Sequence, residues 1–260
     1  MSKQPIGIFD SGVGGTSVWK AIYKILPNES TIYLADSAHA PYGYKTEAEI
    51  IALCIKNTEY LLSKGCKIIV VACNTATTNA ILYLRGHYQV PFIGIEPAIK
   101  PAALQTKTNA IGILATKGTL SSALFSKTSK RFASHIKIIE QVGEGIVPLI
   151  EAGGLHSNAM RVLLTKLLTP MVDNNIDYLV LGCTHYPYLL PMLLELLPSS
   201  VNIIDSGNAV AKQTKAILES AGLLNLDSGV LVCNNFYTNG KKEVLESILG
   251  SGYCVKVLDF

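Results

Sequence analysis

Continuous runs of isoleucine, valine and leucine recur along the chain, separated by stretches whose apolar residues fall at helical spacing. Such runs read as strands buried on both faces, the pattern of a parallel sheet covered by helices, so the fold class is α/β. The predicted strands are Ile6 to Phe9, Thr31 to Ala35, Lys67 to Val71, Phe92 to Ile95, Ala110 to Leu114, Ile136 to Ile139, Tyr178 to Leu181, Asn202 to Ile204, Val230 to Cys233 and Tyr253 to Val257. The clearest helix is Thr46 to Lys64. Thr46 and Glu49 supply a capping box, Ile50, Leu53, Cys54 and Leu61 lie near one face, and Gly65 stops it. Cys54 is therefore read as a core residue.

A faint internal echo runs through the pattern. Gly7-Ile8-Phe9-Asp10-Ser11-Gly12 and Gly112-Ile113-Leu114-Ala115-Thr116 each end a strand, and Val70-Val71-Ala72-Cys73-Asn74-Thr75 and Val180-Leu181-Gly182-Cys183-Thr184-His185 each end a later one. Two lobes on one plan explain this; shared α/β composition explains it too.

Composition removes several classes of function. With 260 residues the chain is long enough for a large core or two lobes. Its formal charge of +3, with Arg85, Arg131 and Arg161 far apart, offers no basic stripe for nucleic acid. Apolar runs are strand-sized and too short for a bilayer, and Met1 to Pro5 shows no signal-peptide order, so no membrane partner and a cytoplasmic location are expected. The six cysteines form no Cys-x-x-Cys pair and no zinc spacing, so reduced thiols and no bound metal are expected.

Ligands of open α/β sheets bind beyond the C-terminal strand ends, where helix N-termini offer free amides. Cys73 and Cys183 fall there, followed by Asn74 and Thr75 and by Thr184, His185 and Tyr186. A helix N-terminus or an imidazolium raises the thiolate fraction of a cysteine, which makes both thiols candidate nucleophiles or bases; a buried, inert thiol is the plain alternative. Cys66, Cys233 and Cys254, before or within predicted strands, keep that plain reading. Asp10-Ser11-Gly12-Val13-Gly14-Gly15-Thr16 lacks a Walker lysine and the third dinucleotide glycine, leaving a glycine turn with bare amides suited to a carboxylate, or a simple helix cap. Pro41-Tyr42-Gly43 after Asp36-Ser37 is a loop able to close over a small ligand, while Glu151 and His156 read as solvated loop residues.

Together these elements resemble the glutamate racemases, cofactor-independent enzymes that supply D-glutamate for peptidoglycan. The resemblance rests on Asp-Ser-Gly-Val-Gly-Gly at 10 to 15, Pro-Tyr-Gly at 41 to 43, Ala-Cys-Asn-Thr-Ala at 72 to 76 and Gly-Cys-Thr-His-Tyr-Pro at 182 to 187. It implies two Rossmann-like lobes with mostly parallel sheets, 1–97 plus 208–260 and 98–207, with the active site in the cleft between them. It implies Cys73 and Cys183 as the two bases, acting on the D and L enantiomers respectively. Substrate contacts would come from Asp10, Ser11, Tyr42, Gly43, Asn74, Thr75, Thr184 and His185, together with Thr116 and Glu151. Glutamate would be the small-molecule partner, no cofactor would be needed, and a homodimer is implied. One departure is His39, where many relatives carry arginine.

Racemisation needs a proton removed from one face of Cα and another delivered to the opposite face, which two thiols supply by exchanging roles. Asp10 and His185 are placed to assist Cys73 and Cys183. Without an electron sink, neutral donors and backbone amides must stabilise the carbanion. The rivals are a racemase of aspartate or another small amino acid, and a two-lobed amino-acid binding protein whose cysteines are incidental.

Overall fold

A computed structural model describes every residue except Met1, Ser228 and Val230. In chain order its strands are β1 (Ile6–Asp10), β2 (Thr31–Ala35), β3 (Ile68–Val71), β4 (Phe92–Gly94), β5 (Ala110–Ala115), β6 (Lys137–Val142), β7 (Tyr178–Gly182), β8 (Asn202–Ile204), β9 (Asn234–Thr238) and β10 (Val255–Val257). They form two sheets, β10-β9-β2-β1-β3-β4 and β6-β5-β7-β8. Every pairing is parallel.

The echo in the sequence is a repeat of topology. In the first sheet β1 lies between β2 and β3, with β4 beyond; in the second, β5 lies between β6 and β7, with β8 beyond. Each sheet thus reverses its winding beside a central strand, and that switch point opens a crevice at the C-terminal strand ends. Asp10 and Cys73 stand at one crevice, Thr116 and Cys183 at the other.

Central strands β1, β2, β3 and β5 are buried throughout, as their unbroken apolar runs require, while the edge strand β6 is half exposed. One core runs continuously across both sheets, from Trp19 and Val70 to Leu179 and Tyr186. Separate clusters cover the outer face of each sheet. The helix Ile99–Gln105 packs on the second sheet and its helices, and Gly207–Ser220 packs on Thr16–Ile25 beside the first.

The predicted helix is Glu47–Ser63, with its capping box complete: Glu49 N donates to Thr46 Oγ1 (3.3 Å) and Thr46 N to Glu49 Oε2 (2.8 Å). Gly65 stops it in the left-handed region, at φ +76°. Cys54 is buried in the core, as expected.

One strand is displaced from its expected place. Val230 lies outside the described residues, and Leu231 to Cys233 form no strand; Leu231 is 83% exposed. The strand is Asn234–Thr238, in register with Thr31–Ala35. Buried Phe236 meets Trp19 edge-on at 4.7 Å, and Thr31 Oγ1 donates to Asn234 Oδ1 (2.7 Å). Pairing and aromatic packing outweigh local apolarity here. Cys233 is consequently exposed and outside a strand, and Cys254, just ahead of Val255–Val257, is exposed too; neither is a packed residue.

No helix among the described residues is long and apolar enough to cross a membrane. No group of three or more histidine, cysteine, aspartate or glutamate residues able to hold a metal occurs among them.

Candidate active site

Cys73 is the N-cap of the helix Asn74–His87, and its Sγ accepts from Ala76 N at 3.4 Å. Its thiol also donates to Ser11 Oγ at 3.6 Å. The helix terminus does not make it an easy thiolate: burial and the neighbouring Asp10 carboxylate push its pKa well above the ordinary cysteine value, against those two bonds. Ala76 N and Thr77 N are taken by Cys73 Sγ and O, leaving the Asn74 and Thr75 amides of the first turn for a ligand.

Asp10 turns its carboxylate into the glycine loop. Oδ2 accepts from Gly12 N (3.1 Å) and Gly15 N (3.0 Å), and Oδ1 accepts from Thr184 Oγ1 of the other lobe (3.3 Å). Burial pushes the carboxyl up to about 6, although His185 and both amides pull the other way. The loop amides are therefore not all bare: besides Gly12 N and Gly15 N, Val13 N is engaged, donating to Glu151 Oε1 at 2.7 Å. A Cβ on Gly12 would lie 1.9 Å from Glu151 Oε1, and one on Gly14 2.2 Å from His185 Nδ1. Neither glycine has a positive φ, so close approach of the opposite lobe is what demands them.

Beyond β7, Cys183 Sγ lies 3.7 Å from His185 Nδ1, and His185 Nε2 lies 2.6 Å from Glu151 Oε1. Burial disfavours an imidazolium here, yet the bonds to Cys183 and Glu151 outweigh it and hold the His185 pKa well above the usual histidine value. Glu151 Oε2 accepts from Ser37 Oγ at 2.8 Å.

One cavity brings these elements together. It is lined by both thiols, Ser11, Pro41, Tyr42, Gly43, Asn74, Thr75, Thr116, Val147, Thr184 and His185. Asp10 and Glu151 stand behind this wall, one on each side, with their oxygens already engaged. Asn74 is 3% exposed and neither Nδ2 nor Oδ1 has a partner among the described residues, so a buried amide faces the cavity unpaired. Leaving it so costs about 1–3 kcal/mol, which a polar ligand would recover. Thr75 Oγ1 lies 2.7 Å from Thr116 Oγ1, both within reach of Thr119, and this hydroxyl cluster bridges the lobes.

Tyr42 presents its ring to the cavity, while its hydroxyl donates to Asp36 Oδ2 and accepts from Asn57 Nδ2 (3.2 Å). His39 lies outside the lining; its Nδ1 is 2.6 Å from Asp36 Oδ1, so it braces the Tyr42 partner from the outer side. His156 is exposed. Sequence reasoning missed Val147, Ser37, Asp36 and the Thr16 to Tyr188 bond (2.6 Å). Of these only Asp36-Ser37 carried a signal, by preceding the Pro-Tyr-Gly loop.

Comparison with known proteins agrees with this geometry. Residues 6–214 match the Asp/Glu/hydantoin racemase family. The glutamate racemase of Ectopseudomonas mendocina (strain ymp) is 45% identical over 249 residues, 95% of this chain and 94% of that protein. The crystal structure of Escherichia coli glutamate racemase in complex with L-glutamate and the activator UDP-MurNAc-ala superposes with a TM-score of 0.86 at 33% identity, covering 98% of each chain. That of the Francisella tularensis subsp. tularensis SCHU S4 enzyme in complex with D-glutamate gives 0.85 at 28% identity, covering 100% of this chain and 98% of the other. With the family match spanning most of its length and two parallel sheets meeting at paired cysteines, this chain belongs to the Asp/Glu/hydantoin racemase family.

Proposed function

We propose that this protein interconverts L- and D-glutamate by two-base proton transfer at Cα, and so supplies D-glutamate for peptidoglycan. The observation that carries this reading is the single cavity lined by Cys73 from one lobe and Cys183 from the other, beside the unpaired Asn74 amide. One cysteine, as thiolate, takes the Cα proton from its face and becomes a thiol, while the other, as thiol, delivers its proton to the opposite face and is left as thiolate. In the reverse direction the roles exchange.

Asp10 serves the Cys73 side and His185 the Cys183 side, with Glu151 holding His185. Ser11, Tyr42, Gly43, Asn74, Thr75, Thr116, Thr184 and His185 surround the substrate. The amides of Asn74 and Thr75 and the neutral Asn74 side chain are fixed donors, suited to a carboxylate and to the negative charge that develops when Cα loses its proton. This arrangement assigns the proton chemistry to the thiols and leaves no task for a Schiff-base lysine. The lobes in this reading are 1–97 plus 208–260 and 98–207. A cytoplasmic homodimer rests on the resemblance to glutamate racemases, and sedimentation of the purified protein checks the oligomeric part.

Isotope labelling tests the two-base step. With L-glutamate in heavy water, Cys183 takes the Cα proton and the solvent-exchanged Cys73 delivers deuterium, so early D-product carries the label while recovered L-glutamate gains little. Comparable early label in both would mean one exchanging base serves both faces. Running the same assay on L- and D-aspartate separates a glutamate enzyme from one acting on the shorter acid.

A further inference from the structure

The Glu151 carboxylate is a junction between the lobes. Its Oε1 is shared by Val13 N (2.7 Å) and His185 Nε2 (2.6 Å), while Oε2 has one hydrogen bond among the described residues, from Ser37 Oγ at 2.8 Å. A carboxylate bonded through one oxygen alone retains rotation about Cγ–Cδ. Bonding the second oxygen defines its plane, and with it the direction in which Oε1 meets His185.

From this geometry we infer that Ser37 is a positioning residue for proton transfer at Cys183, setting the Glu151 carboxylate that aligns the His185 imidazole. The inference rests on the two-base reading above.

Ser37 is itself well held. It opens the tight turn Ser37–His39 after β2, where Asp36 N donates to Asp10 O (3.0 Å). Asn239, from the far end of the chain, donates through Nδ2 to Asp36 Oδ1 (2.5 Å) and accepts from Ala38 N (2.9 Å). Gly240 packs so closely that a Cβ there would lie 2.6 Å from Ser37 Cβ. A hydroxyl on so braced a turn is a fixed point and not an adaptable contact.

The arrangement also spans the cleft. Val13 and Ser37 belong to loops of the first sheet, and Glu151 and His185 to the chain segment that builds the second. The donors that orient Glu151 are in place only while the lobes stand together. His185 is therefore aligned in the closed cavity, where Cys183 needs it, and loses that alignment when the lobes part.

The experiment compares Ser37→Ala in the wild-type chain and in Glu151→Ala. If Ser37 acts through Glu151, Ser37→Ala lowers kcat about tenfold in the wild-type chain with KM changed less than twofold, and changes kcat less than twofold where Glu151 is absent. A second readout needs no turnover: histidine NMR, with the His185 signal assigned by its loss in His185→Asn. The groups facing that imidazole are Cys183, Glu151 and Asp10. Loosening Glu151 weakens its hold on the imidazolium, so the His185 titration moves to lower pH in Ser37→Ala. An equal kcat loss in both backgrounds, a loss confined to KM, or an unmoved His185 titration would overturn the inference and show a staple between lobes only. Absence of glutamate racemisation in the wild-type chain would instead remove the functional reading, and the NMR arm would still decide the role of Ser37.

Discussion

The two halves of the site share a plan and differ in electrostatics. Each thiol follows a strand beside the switch point of its sheet, and each has a carboxylate set behind the cavity wall. On the Cys73 side the carboxylate, Asp10, acts on the sulfur through space, and the direct neighbours are a hydroxyl and a backbone amide. On the Cys183 side an imidazole stands between sulfur and carboxylate. Burial, reinforced by a negative neighbour, favours the thiol form of Cys73, whereas an imidazole whose bonds to Cys183 and Glu151 favour its protonated form is a proton reservoir next to Cys183. One repeat of topology has thus been furnished with two different proton-handling devices. Since L- and D-glutamate have equal free energy in water, the difference cannot appear in kcat/KM, which must match in the two directions, and shows only in kcat and KM taken separately.

The sharpest way to break this comparison is to remove either sulfur. Cys73→Ala and Cys183→Ala should each lower racemisation by about a thousandfold or more, the scale on which an essential proton-transfer group acts. Polarimetry from both pure enantiomers measures it, and near-normal turnover in either variant would strike that thiol from the mechanism.

Asp10 sharpens the comparison through stability. Its carboxyl titrates near 3.8 when unfolded and about 6 in the fold, so the native state holds the proton more tightly. Stability from this group is complete below pH 4 and is lost as pH rises through 6, by about 2–3 kcal/mol. Asp10→Asn retains the acceptor for Gly12 and Gly15 without the buried charge. Relative to wild type its stability should therefore rise between pH 4 and pH 7. Urea unfolding at both ends of that range checks this, and a pH-independent difference would refute the raised carboxyl.

The smallest effects lie outside the site. Cys54, packed behind Tyr42 and Cys73 in the outer core of the first sheet, should cost about 1–2 kcal/mol as Cys54→Ala. Exposed Cys254 should cost less than about 0.5 kcal/mol on the same change. Neither should abolish turnover. Thermal unfolding of the two variants together with their activities tests whether the roles of Cys73 and Cys183 come from their sites and not from the residue type.

What the sequence by itself determined are features with a local cause. Unbroken apolar runs placed the buried strands, the Thr46 and Glu49 pair placed a helix start, and four short motifs in order marked the thiols and their polar followers. Only the tertiary structure decided which groups engage those motifs. The glycine loop looked like an open carboxylate site, yet the amides of Gly12 and Gly15 are occupied by Asp10 and that of Val13 by Glu151 from 138 residues away. Glu151 looked like a loop residue until packing of the second lobe brought it between Ser37 and His185. Asn234–Thr238 became a strand against local apolarity because β2 offered it a partner and Trp19 a ring to pack on. Periodicity and capping are decided within a few residues, whereas these contacts arise from the close approach of two sheets and have no local signature.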